Sequence, residues 1–210
     1  MAQYIVKEGF CTLSTSAGRA EETSEATTPT NNIGVAALSP LTLSQTSKPI
    51  FLLQDKNSSW CAYKNKGEWS SDVETNEIVR VGSLEYSANK LAIVNVTEED
   101  ESGDWTVYDT YRIDNGGNIV GLRRTINIIP GDRSEQNFYT FENRRLKLKS
   151  REVRSLSTQK KSEPSSKETW RPNVPIVTEI GQFPFNSFLL NNHFLLSSNA
   201  KECVPGKKIE

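Results

Sequence analysis

The side chains best placed to do chemistry in this 210-residue chain are Asp109 and Arg124. They fall in the stretch DWTVYDTYRIDNGGNIVGLRRTINIIP, Asp104 to Pro130, which reads as two alternating strands joined at Gly116-Gly117. Two glycines accept the positive φ that a tight hairpin needs. With the turn there, Ile113 faces Val120, Tyr111 faces Leu122, Asp109 faces Arg124, Val107 faces Ile126 and Trp105 faces Ile128. One face gathers Trp105, Val107, Tyr111, Ile113, Val120, Leu122, Ile126 and Ile128, and a one-residue slip would scatter that set. A single charged pair on an apolar face can orient the polar head of a ligand, or it can be a structural ion pair. As a general base Asp109 is poorly suited, because a neighbouring guanidinium depresses a carboxylate's pKa.

Other reactive residue types lack the spacing their chemistry requires. His193 is the only histidine, so any Ser-His-Asp or Cys-His arrangement would have to use it, and no nucleophile motif surrounds it. One histidine and three scattered cysteines, Cys11, Cys61 and Cys203, give no metal site. The odd cysteine count argues against a full disulfide framework. It leaves a Cys61–Cys203 bridge or three reduced thiols as alternatives. The acidic run Glu98, Glu99, Asp100, Glu101 with Asp104 has oxygen ligands but not the spacing of a calcium loop, and reads as a solvated turn. No phosphate-binding glycine loop or dinucleotide fingerprint is present, and no cofactor is expected. Asn57-Ser58-Ser59 and Asn95-Val96-Thr97 match the glycosylation triplet, a pattern that chance supplies readily in a chain this rich in Asn, Ser and Thr.

Arg145, Lys147, Lys149 and Arg151 alternate with Leu146 and Leu148. As a strand, this places a basic stripe on one face, able to meet an anionic protein partner or lipid headgroups, or to guard an edge. Nothing aromatic interleaves to stack on bases, and the net charge of −1 gives no reason to expect nucleic acid.

These residues need strands to position them. Glu77–Tyr86 and Lys90–Thr97 read as strands around a turn at Ser87–Asn89. Glu135–Glu142 and Arg145–Leu156 read as a further hairpin, and Ile50–Leu53 as a short strand. Trp60–Trp69 reads as a strand, a turn at Asn65-Lys66-Gly67 and the start of another strand. Consecutive strands with short turns specify an antiparallel meander rather than β–α–β units. The expected fold is mainly β: a strongly twisted sheet, half-barrel or open barrel, with a short C-terminal helix or loop segment packed on it.

Four segments follow. Residues 1–47, with their Thr-, Glu- and Ser-rich middle, form a loosely ordered N-terminal segment. Residues 48–157 form the β domain and 158–175 a polar linker. Residues 176–210 return to pack on the sheet, with a strand at Ile176–Ile180, a short helix over Pro184–Leu196 carrying Phe185, Phe188, Leu189 and Leu196 on one side, and a loose tail after Ser197. The hydrophobic fraction of 35% fits a modest core, and no apolar run reaches the roughly 18 residues of a membrane span. The N-terminus lacks the basic leader and apolar core of a signal peptide, so the chain is either cytoplasmic or exported with its signal absent.

The function expected is non-catalytic: an apolar or amphipathic ligand held on the concave face, with Trp105, Tyr111, Leu122 and Ile126 around the Asp109–Arg124 pair. The alternative is a structural or protein-interaction domain without a small ligand, contacting its partner through Arg145–Arg151. A carboxylate-dependent enzyme is the third and weakest reading.

Overall fold

A computed structural model describes residues 4–7, 10–13, 48–75, 78–142, 145–162, 171–190 and 193–206. The chain divides into two units, Met1–Leu41 and Thr42–Glu210. In the first, β1 (Tyr4–Lys7) and β2 (Phe10–Leu13) pair as an antiparallel hairpin.

The second unit holds one unclosed ten-stranded antiparallel sheet. Its strands are β3 (Ile50–Asp55), β4 (Ser59–Tyr63), β5 (Ile78–Ser87), β6 (Lys90–Glu99), β7 (Trp105–Ile113), β8 (Ile119–Ile128), β9 (Arg133–Glu142), β10 (Arg145–Ser155), β11 (Lys161–Ser162) and β12 (Lys201–Pro205). Their order across the sheet is β11-β10-β9-β8-β7-β6-β5-β3-β4-β12. From β5 to β11 the sheet is a plain meander. Ala88 and Asn89, both at positive φ, make the tight β5–β6 turn whose twist matches the flanking strands.

Sequence order breaks at β3–β5 and again at β4–β12. β5 pairs with β3, not with β4, so the chain must pass back over β3. Helix α1 (Lys66–Thr75) makes that passage, where a turn and second strand were expected. Its apolar periodicity is weak: Trp69 and Val73 join Phe51, Leu53, Cys61, Tyr63 and Ile78 in a small outer cluster, while Asp72 accepts from the Tyr63 hydroxyl and from Lys201. Trp69 anchors it by donating Nε1–H to the Leu52 carbonyl at 3.0 Å and by packing on the Phe51 ring.

The main core lies on the other face. Ile50, Leu52, Trp60, Ala62, Leu84, Tyr86, Val94, Tyr111 and Leu122 meet Val177, Phe183, Phe185, Phe188, Leu189 and Phe194 there. The C-terminal segment thus packs on the concave face through six buried apolar side chains. Ring centroids step from Trp60 to Phe185 in 4.7 Å, to Phe183 in 5.2 Å and to Tyr111 in 5.1 Å. Trp60 and Tyr111 sit on strands four steps apart, about 19 Å in a flat sheet. The shorter path through the rings requires the sheet to curl around them.

The segment's local form departs from expectation. Residues 171–178 form no regular element, so the strand expected at Ile176–Ile180 is absent, and a 3-10 turn follows at Ile180–Gln182. The helix expected over Pro184–Leu196 is two single turns, α2 (Asn186–Leu189) and α3 (His193–Leu196). Leu196 is 73% exposed, because two residues' advance from buried Phe194 swings it to the far side of the turn. The tail is not loose: β12 pairs with β4 and places Cys203 opposite Cys61, and the two are bridged. Residues 163–170 of the polar linker and the Thr-rich stretch of the N-terminal segment lie outside the described residues.

Candidate functional site

The hairpin of β7 and β8 carries the charged pair in the register that side-chain alternation requires: Asp109 faces Arg124, Tyr111 faces Leu122, Val107 faces Ile126 and Trp105 faces Ile128. At the turn end the register differs. A bulge after Arg112 sets Ile113 against Ile119, so Ile119 is buried and Val120 turns outward, 37% exposed. The turn itself is tied by Asp114, whose Oδ1 accepts from the backbone N–H of Gly116 and Asn118 at 2.8 Å each. Only Gly117 of the two glycines takes positive φ, at 81°.

Asp109 and Arg124 are both buried, at 6% exposure. Arg124 donates in a fork, Nε to Oδ1 at 2.8 Å and a terminal nitrogen to Oδ2 at 2.6 Å. Two more of its donors go to the C-terminal segment, to the Val174 carbonyl at 2.8 Å and the Pro175 carbonyl at 3.1 Å. Tyr111 donates its hydroxyl to Asp109 Oδ2 at 3.3 Å and accepts from the Val177 N–H at 3.2 Å. The pair is therefore a latch between the sheet and residues 174–177. Burial dominates its electrostatics and raises the Asp109 carboxyl against the opposing pull of Arg124 and Tyr111. The expected net depression by Arg124 is outweighed because the carboxylate has left water.

Beside the latch is a cleft of about 40 Å³, lined by Trp60, Arg80, Glu98, Asp109, Tyr111 and Phe183 among others. That holds roughly two or three water-sized molecules. Trp60 Nε1 is buried in its wall and donates to no protein group. Of the residues expected around the pair, Tyr111 and Leu122 belong to the main core. Ile126 is buried and Trp105 half-buried, but both lie outside that core cluster, on the other side of Asp109 along the strand.

A second polar centre lies on β9, one the strand pattern could have disclosed: in Arg133-Ser-Glu135-Gln-Asn137, the alternate residues facing inward are all polar. Glu135 is 1% exposed. Its Oε2 accepts from Arg133 at 2.6 Å and from Arg151 at 2.8 Å. Its Oε1 accepts from Asn137 at 2.8 Å and pairs with Arg171 at 3.2 Å. Burial pushes the Glu135 carboxyl up, but Asn137 and the three guanidinium groups prevail and hold it below the ordinary glutamate value.

The basic stripe is broken by the same geometry. A bulge between Leu148 and Ser150 brings Arg151 round to the inner face and to Glu135, while Lys147 and Lys149 stay outside on Glu142. The acidic run is also divided. Glu98 pairs with Arg80 at 2.7 Å, and Asp100 caps its own loop through Ser102 and the Trp105 N–H. Among the described residues no group of histidine, cysteine and carboxylate side chains could hold a metal ion, and no helix is long and apolar enough to cross a membrane. His193 opens α3, but its side chain lies outside the described residues. Asn57 is exposed at the β3–β4 turn, whereas Asn95 is held by Ser83 and Glu85.

No protein-family model, curated protein or solved structure matches this chain. Fold and geometry define its class: an antiparallel sheet curled around its own C-terminal segment, latched by a buried ion pair.

Proposed function

We propose that the chain is a non-catalytic interaction module that works through its surface rather than by enclosing a small apolar ligand. The supporting observation is the filling of the concave face: Phe183, Phe185, Phe188 and Val177 occupy it, and the adjoining cleft has about 40 Å³. Pockets for drug-sized ligands run to roughly 300–1,000 Å³. An apolar guest would have to displace residues 174–185 and break the Arg124 latch, leaving a buried guanidinium short of acceptors. The outer side of β10, with Lys147 and Lys149 half-exposed, is the partner-facing strand in this reading. The Cys61–Cys203 bridge supports an oxidising compartment.

Native mass spectrometry of the purified full chain tests the reading. The expected result is the polypeptide mass without a guest, with cross-links to neighbouring chains falling at Lys147 and Lys149. A stoichiometric apolar guest would overturn it in favour of ligand binding on the concave face.

A further inference from the structure

We propose that Asn57 is an acceptor site for an N-linked glycan. The inference rests on the oxidising compartment that the Cys61–Cys203 bridge supports, and goes beyond the interaction reading.

The acceptor triplet occurs twice, at Asn57-Ser58-Ser59 and at Asn95-Val96-Thr97. The triplet alone is a weak signal, but the fold separates the two copies. Asn57 sits at the tip of the β3–β4 turn and is exposed, as is Ser58. Asp55 builds that turn. Its carbonyl accepts from the Ser58 N–H at 3.0 Å. Its Oδ1 accepts from the N–H groups of Asn57 and Ser59 at 2.9 and 3.0 Å. The turn is thus held by backbone groups and the Asp55 carboxylate. Among the described residues no group holds the Asn57 carboxamide, so a sugar joined there displaces no contact of the fold.

Asn95 is placed differently. It lies within β6, half-buried, between Ser83 on β5 and Thr110 on β7. Its Nδ2, the atom a glycan would take, donates to Ser83 Oγ and to Glu85 Oε1 at 3.1 Å each. An amide nitrogen has two protons to donate, so substitution there breaks at least one of these bonds.

A second observation points the same way. Ser59 opens β4, and Cys61 two residues on is bridged to Cys203. Disulfides persist in the compartments through which secreted proteins pass, and the acceptor triplet is read in secreted proteins. A glycan at this turn would also stand beside the sheet's edge strand, since Ser59 pairs with Pro205 of β12. A bulky, solubilising group there would shield the edge from pairing with other chains. The transfer joins Asn57 Nδ2 to the anomeric carbon of an oligosaccharide carried on a lipid pyrophosphate. The carbon–oxygen bond to the pyrophosphate breaks, the lipid pyrophosphate leaves with the electron pair, and Nδ2 gives up one proton.

Expression of the full chain behind a cleavable signal peptide in a eukaryotic cell tests the site. Protein from medium and cells is treated with a glycan-releasing amidase in heavy-oxygen water, and peptide mass spectrometry reads the label left at each asparagine. Label is expected at position 57 in most molecules and at position 95 in far fewer. Ser59→Ala should abolish the label at position 57 and Ser59→Thr should keep it, with circular dichroism unchanged in both. An unlabelled position 57, labelling there no greater than at position 95, or label that survives in Ser59→Ala overturns the site. The same spectra read the Cys61–Cys203 bridge, so a chain bridged but unglycosylated overturns the site alone, and an unbridged chain overturns the compartment on which it rests.

Discussion

Asp109 is buried against a single guanidinium that also holds two backbone carbonyls of the C-terminal segment. Replacing it with alanine leaves Arg124 buried without its counter-ion, which costs about 3–5 kcal/mol. Urea denaturation should show that loss in the midpoint. Glu135 gives a prediction in pH. Its folded pKa lies below the ordinary glutamate value, so folding benefits from its ionisation. That contribution is complete above the ordinary glutamate range and disappears as pH falls through it towards the lower folded value. Between pH 6 and pH 3 the wild-type chain should lose more stability than Glu135→Gln, measured by urea midpoints at each pH. The Asp109–Arg124 pairing was legible because alternation in DWTVYDTYRI and NIVGLRRTINI permits a single register. What covers it was not: the acceptors are the backbone carbonyls of Val174 and Pro175, about fifty residues on, and backbone groups leave no residue-type signal. The Arg112 bulge that turns Val120 outward is likewise a backbone irregularity with no residue-type signature.

At the scale of elements, the sheet depends on what packs against it. Phe183 and Phe185 are stacked on each other and span from Tyr111 to Trp60. Phe183→Ala or Phe185→Ala should each cost about 3–5 kcal/mol, read by thermal or urea unfolding. The larger cavity they leave on the concave face should bind apolar dye that the wild-type chain does not. Gly82 shows a close approach between strands: a Cβ there would stand 2.5 Å from the Asn95 carbonyl oxygen. Gly82→Ala should therefore force β5 and β6 apart and lower the melting temperature. The hairpins from β5 to β10 were readable because their apolar residues alternate around turn residues. Helix α1 was not. It buries no residue fully, and Trp69 and Val73, which touch the sheet, are too few to set a helical period. α2 and α3 were misjudged as one helix because their phenylalanines fit a helical spacing, while the inward contacts are met by separate turns.

For the molecule as a whole, the bridge from Cys61 to Cys203 closes 142 residues of sequence, a loop worth on the order of 5 kcal/mol in chain-entropy terms. Reduction should lower the unfolding midpoint and release β12 from β4 first, since β12 is the sheet's edge strand. Hydrogen exchange with and without reductant would locate the change. The antiparallel sheet was legible from the chain, and so was a C-terminal return onto it. The unclosed ends and the filling of the concave face depend on three-dimensional curvature, which alternation does not encode. The central claim is that Val177, Phe183, Phe185, Phe188, Leu189 and Phe194 fill that face and that Arg124 latches the segment at Val174 and Pro175. Nuclear Overhauser spectroscopy tests it most directly. The account predicts strong cross-peaks between the rings of Tyr111 and Phe183 and between Trp60 and Phe185, whose centroids lie 5.1 and 4.7 Å apart. Absence of both sets in the folded protein would contradict it.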